Sequence, residues 1–141
     1  MRKLFFSLSF LLLTVASQAT VIAMIDTGGL AFADRHVMII TQKKEIRPGA
    51  VATAGEQTWK LMSSDEMTIF KNVKQITEAQ WSAKFTDLPA YMTGKCRIDR
   101  SLNYIYELNA GGFLKLTNAS EILYYGCFDK SLRKYFLKGP K

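Results

Sequence analysis

Residues 101–128, SLNYIYELNAGGFLKLTNASEILYYGCF, constrain the fold more than any other part of the chain. In the first run Tyr104, Tyr106 and Leu108 fall on one side, and Asn103, Ile105 and Glu107 on the other. In the second, Leu114 and Leu116 alternate with Phe113, Lys115 and Thr117. Successive side chains of a strand point to opposite faces, so a period of two predicts strands with one buried face. Asn109-Ala110-Gly111-Gly112 and Asn118-Ala119-Ser120 interrupt the runs with residues that suit tight turns. The prediction is a three-stranded antiparallel meander. Residues 94–99, GKCRID, add a candidate fourth strand ahead of a turn at Arg100-Ser101.

Upstream the period changes. Residues 35–42 (RHVMIITQ) read as a strand, and residues 43–57 as a loop marked by Pro48, Gly49 and Gly55. Residues 58–63 (TWKLMS) read as a second short strand. From Ser63 onward Met67, Phe70 and Val73 recur every third residue, and Ile69, Val73 and Ile76 continue a helical stripe. This predicts helices near 65–74 and 78–86, either separate or continuous. Ser63 with Glu66, and Thr77 with Gln80, have the spacing of a capping box. Pro89 ends the helical region, since proline disfavours a helical residue before it. Together these elements predict an α+β domain: a small, mostly antiparallel sheet or partly closed barrel carrying one or two helices near 65–86. Over about 35 residues the tyrosine-rich meander with its Gly-Gly turn resembles small lipocalin-like barrels, without any diagnostic motif.

Residues 1–19, MRKLFFSLSFLLLTVASQA, have the three parts of a secretory signal. Arg2 and Lys3 precede an apolar stretch, and Ser17-Gln18-Ala19 supplies small residues where signal peptidase reads the chain. A second cleavage position follows Ala23. Apolar character continues to Ile25, so an uncleaved membrane anchor is the alternative. No cysteine ends the apolar stretch, which argues against lipid attachment there.

Removing residues 1–19 leaves 122, enough for one domain, and lowers the formal charge from +7 to +5. Most of that charge lies in residues 129–141, where Lys130, Arg133, Lys134, Lys138 and Lys141 face a single acid, Asp129. The expected organisation is therefore a signal peptide, one exported domain over 20–128, and a basic C-terminal tail. A nucleic-acid-binding face would spread its cations across the fold, and this chain does not. Anionic lipid headgroups, envelope polysaccharide or an acidic protein are the natural partners of such a tail in an exported protein. A tail that serves only solubility is the plainer reading.

Two cysteines, Cys96 and Cys127, remain after export. In an oxidising compartment such a pair is expected to form a disulfide, here closing a loop of about 30 residues. The expectation rests on compartment, because the hairpin registers do not place the two side by side. With His36 they match no zinc spacing, and there is no Cys-x-x-Cys, so neither a metal nor another cofactor is expected.

Catalytic candidates are few. Met24-Ile25-Asp26-Thr27-Gly28 resembles the catalytic loop of retropepsin-type aspartic proteases. The resemblance implies a homodimer in which two Asp26 carboxylates share a proton. Thr53-Ala54-Gly55 and Tyr124-Tyr125-Gly126 are weaker echoes of that pattern. Gly29 stands where Ala or Ser is usual after the motif, and cleavage after Ala19 leaves only six residues before Asp26. A turn at the entry to the domain explains the same residues. The Asp-Thr-Gly of subtilisin-type proteases also needs a downstream histidine and a Gly-Thr-Ser-type nucleophile segment in a far longer domain, and His36 alone does not make that triad. His36 follows Asp34 and Arg35, but no nucleophile is marked near it, so it reads as a surface histidine. The aromatic residues read as core, or as the lining of a ligand cavity if the sheet closes. The sequence thus predicts an exported, non-enzymatic binding protein of the inhibitor, immunity or accessory kind, with a protein or envelope partner. A dimeric Asp26 protease and a small-ligand carrier with an aromatic-lined barrel are the alternatives.

Overall fold

The computed structural model describes residues 32–141, so Asp26 and the N-terminal segment lie outside the described residues. The predicted meander forms the middle of the sheet as β5 (Leu102–Asn109), β6 (Phe113–Thr117) and β7 (Ile122–Gly126). GKCRID is the latter part of a longer strand, β4 (Ala90–Ile98), which pairs with β5 along its length. The other side of β4 is shared by two short strands. β1 (Val37–Ile39) takes Cys96 to Ile98, and β2 (Lys43–Ile46) takes Ala90 to Thr93. β3 (Lys74–Ile76) pairs with β7 at the opposite border. The result is a seven-stranded antiparallel sheet, ordered β1-β4-β5-β6-β7-β3 with β2 beside β4.

The sheet is open. No pairing joins β3 to β1 or β2, so the closed barrel expected as one alternative is not formed, and neither is its aromatic-lined interior. Tyr104, Tyr106, Leu108, Leu114, Leu116 and Tyr125 instead fill one sheet face as solid core. Against them packs the helix α2 (Ser63–Asn72), which buries Glu66, Ile69 and Phe70. Phe70 meets Tyr106 edge-on at 5.6 Å, and Phe32 lies against both Phe70 and Tyr125.

Three predicted elements differ. Residues 58–63 are not a strand: a short helix α1 (Ala54–Thr58) lies inside the predicted loop and ends at Trp59. Trp59 and Leu61 are nonetheless buried, although no neighbouring strand pairs with them. The helical region is broken by β3 into α2 and α3 (Glu78–Lys84). The capping boxes also redistribute. Thr77 and Gln80 cap α3 as predicted, and Thr53 with Glu56 caps α1 in the same way. At α2 it is Asp65, not Glu66, whose carboxylate accepts from the Met62 N–H. Glu66 turns inward.

The disulfide expected between Cys96 and Cys127 is absent; both thiols are free and buried. Cys96 lies in β4 and Cys127 just beyond β7, with β5 and β6 between them. Three strand intervals amount to about 14 Å, whereas bridged cysteines have Cα atoms within roughly 7 Å. Burial pushes the Cys96 thiol up to about 12 and raises that of Cys127 as well.

The C-terminal segment is part of the folded body. After β7 it forms a 3-10 helix (Lys130–Tyr135) whose Leu132 is buried. The Tyr135 carbonyl accepts from the Trp59 indole at 2.8 Å. Leu137 and Lys138 donate their N–H groups to Ala110, and Lys141 donates to Lys84.

Candidate partner-binding surfaces

Docking of the C-terminal segment determines where its charges point. Leu132 holds the 3-10 helix down, while Lys130, Arg133, Lys134, Lys138 and Lys141 all remain exposed. The path runs along the end of the sheet that carries Gly126 and the Asn109–Phe113 turn, and there it meets other cations. Lys141 is tied to Lys84 through the backbone, and the Lys84 ammonium lies 5.5 Å from the centre of the Phe128 ring. Phe128 and Asp129 line a hollow of about 450 Å³ with Lys71 and Lys74. Eight of the chain's 19 Lys and Arg residues thus lie on this segment or on residues that meet it. The one acid within the segment, Asp129, is already engaged. Its carboxylate accepts from the Ser131 N–H at 2.9 Å, which lowers its pKa, and Lys74 adds to the effect. Tyr135 and exposed Leu137 sit among these cations, with the Lys134 ammonium 5.0 Å from the Tyr135 ring centre.

The sheet face away from α2 divides into two halves. One half is covered or neutralised. Trp81 of α3 stacks on Tyr124 at 4.9 Å and meets Phe113 edge-on at 5.4 Å, and Phe85 packs on Phe113 and Phe128. Beside them Arg47 bridges Asp87 and Glu107, and Lys115 reaches Glu107 at 3.6 Å. Asn109 anchors this region. Its amide oxygen accepts from Leu88 and Gly111, and its nitrogen donates to Asp87 and the Leu88 carbonyl. The other half is open and carries a hollow of about 610 Å³ lined by Ile40, Lys95, Arg97, Asn103, Ile105 and Thr117, among others.

No protein-family model matches the chain, no curated protein matches it in sequence, and no solved structure matches it in fold. The surfaces above are therefore read from their own chemistry.

His36 is exposed; its main-chain N–H donates to Asp99 at 3.2 Å, and Asp99 also pairs with Arg35 at 3.0 Å. Among the described residues no group of three His, Cys, Asp or Glu side chains converges as a metal site. No described helix is long and apolar enough to cross a membrane. The two echoes of the protease pattern have other roles: Thr53-Ala54-Gly55 starts α1, and Tyr124-Tyr125-Gly126 completes β7. The sequence reading found the five C-terminal cations but missed Lys71, Lys74 and Lys84. Nothing in their spacing links them to the tail, and only the fold brings them there. It also missed the open half-face, although the outward position of Ile105 opposite Tyr104 and Tyr106 was a signal for it.

Proposed function

We propose that this is an exported, non-enzymatic binding protein of the inhibitor, immunity or accessory kind. Its basic end holds it against an anionic envelope surface, with lipid phosphate headgroups as the matching chemistry. The observation that carries this reading is that the segment bearing Lys130, Arg133, Lys134, Lys138 and Lys141 packs beside Lys71, Lys74 and Lys84, which meet it at Phe128 and Lys141. Each cation near an anionic membrane contributes on the order of 1 kcal/mol, and the contribution falls off within a Debye length. Aromatic and aliphatic side chains among cations suit the headgroup boundary, where Tyr135 and Leu137 would rest. The export signal supports the compartment.

The test is co-sedimentation of the mature protein with vesicles of zwitterionic lipid alone or with added anionic lipid. Binding is expected only to the anionic vesicles, and it should weaken steeply between low and physiological salt. The triple reversal Lys130→Glu, Arg133→Glu, Lys134→Glu should reduce binding at least tenfold while leaving the circular dichroism spectrum unchanged. Equal binding by wild type and triple variant would overturn the proposal.

A further inference from the structure

The open half of the sheet face has an order that its composition does not reveal. Lys95 pairs with Ile105, Ile105 with Thr117, and Thr117 with Ile122, while the Ile40 N–H donates to the Lys95 carbonyl. Paired residues of an antiparallel sheet share a face. Lys95, Ile105, Thr117 and Ile122 therefore form one row running straight across β4 to β7, and Ile40, the residue just past β1, extends it. Ile40, Ile105 and Ile122 are 46%, 58% and 54% exposed, so the row is apolar and wet. One step along β1 and β4, Met38 is 47% exposed beside Arg97. Scattered exposed aliphatics are ordinary, but contiguous ones rimmed by polar groups mark contact surfaces.

The charges of the row choose the occupant. Lys95 and Arg97 rise among the isoleucines, and no carboxylate is paired with either among the described residues; Arg97 donates to the Asn103 side chain at 3.1 Å. This contrasts with the neighbouring row, where Arg47 and Lys115 are both matched by Glu107. A second copy laid face to face has no carboxylate in this row to meet Lys95 and Arg97. The spacing adds a length. Alternate strands of a sheet lie about 9.6 Å apart, so the three isoleucines recur at about that interval over about 19 Å. Seven residues of an α-helix rise about 10.5 Å, so a helix lying across the strands meets the row with residues i, i+7 and i+14.

We infer that the open row Ile40–Lys95–Ile105–Thr117–Ile122 docks an amphipathic helix of a partner protein, about four turns long, whose aliphatic stripe is flanked by carboxylates facing Lys95 and Arg97. The surface is separate from the basic end and stands or falls independently of it. Helix-in-groove recognition of this kind draws its affinity from the aliphatic anchors and its selectivity from the flanking charges.

The experiment places a photo-crosslinking phenylalanine derivative at Ile105, and in a second variant at Ile122, of the full chain in the cells that naturally make it. Val51, which is 94% exposed elsewhere, serves as the control position. The expected result is one polypeptide adduct from both positions and none from Val51, with the crosslinked peptide richer in Asp and Glu than in Lys and Arg. Adding Lys95→Glu with Arg97→Glu should cut its yield at least tenfold, while Lys60→Glu, a charge reversal at an exposed position elsewhere, should leave it unchanged. An adduct to a second copy of this chain, an adduct to lipid, a yield insensitive to Lys95 and Arg97, or no adduct from either position would each overturn the inference. Far-UV circular dichroism of the purified variants confirms that they fold.

Discussion

The Tyr106 hydroxyl donates to both carboxylate oxygens of Glu66, at 3.1 and 3.2 Å, and Glu66 has no solvent exposure. The pair joins β5 to the first turn of α2 across the core. Burial raises the Glu66 pKa from 4.5 to about 7, a shift that hydrogen bonds from Tyr106 and Gln42 oppose and the nearby charge of Asp65 assists. An acid whose pKa is higher folded than unfolded favours folding while protonated. Its contribution is fully present below about pH 4.5 and is lost as pH rises through about 7. Stability should thus decline across that window by on the order of 2–3 kcal/mol. Glu66→Gln, which stays neutral, should flatten the decline. Urea unfolding at pH 4.5, 6 and 8 on both proteins checks this, and parallel curves would contradict it.

Two tyrosines of the same core should respond in opposite ways to loss of their hydroxyls. Tyr106→Phe leaves the Glu66 carboxyl without its phenol donor and should cost about 1–3 kcal/mol. The Tyr125 hydroxyl is buried with no hydrogen-bond partner. Tyr125→Phe removes a desolvated polar group and should be neutral or stabilise by up to about 1 kcal/mol. Thermal unfolding of the two variants side by side gives the comparison.

Gly94 sits where the linker between β1 and β2 crosses β4. A Cβ there would stand 1.8 Å from the Thr41 carbonyl oxygen. The obstacle is main chain, so a side-chain rotation cannot relieve it. Gly94→Ala should destabilise by about 3 kcal/mol or more. It should also loosen the bonds from Ile40 and Thr41 to the Lys95 carbonyl. Amide hydrogen exchange at Ile40 and Thr41 should speed up ahead of exchange in β5, whereas an unchanged pattern would exclude this placement of the linker.

Cys96 and Cys127 should remain as two thiols. Burial shields them, and their raised pKa values leave little thiolate at neutral pH. Ellman's reagent should react with two thiols per chain in denaturant and with almost none over minutes in the native state. A mass two units low, restored by reductant, would establish a bridge instead.

How far the sequence could be read depended on whether the deciding force was local. The meander was legible because alternation and turn chemistry are encoded within a few residues of one another. α3 was legible for the same reason, since the Thr77 and Gln80 side chains each accept from the other's backbone N–H. β3 was not, because its three residues acquire strand identity only by pairing with β7. Glu66 has the spacing of a cap, and only the position of Tyr106, forty residues away, makes it a core group. The cysteines show the same limit: compartment chemistry favoured a bridge, and strand order forbids it. Of the candidate surfaces, five cations were visible as a run. The three that join them and the row of isoleucines exist only once strands from distant parts of the chain are set side by side.

The strands at the borders of this sheet, β1, β2 and β3, are three, four and three residues long, beside a nine-residue β4. Each offers only a few unpaired main-chain groups to an incoming chain, and β1 and β2 are offset by the crossing at Gly94. A sheet that leaves isoleucines in water would otherwise be an invitation to fibril growth by edge addition. Here the adhesive surface and the hydrogen-bonding rim are kept apart. The molecule can thus display a greasy face at high local concentration without templating its own polymerisation.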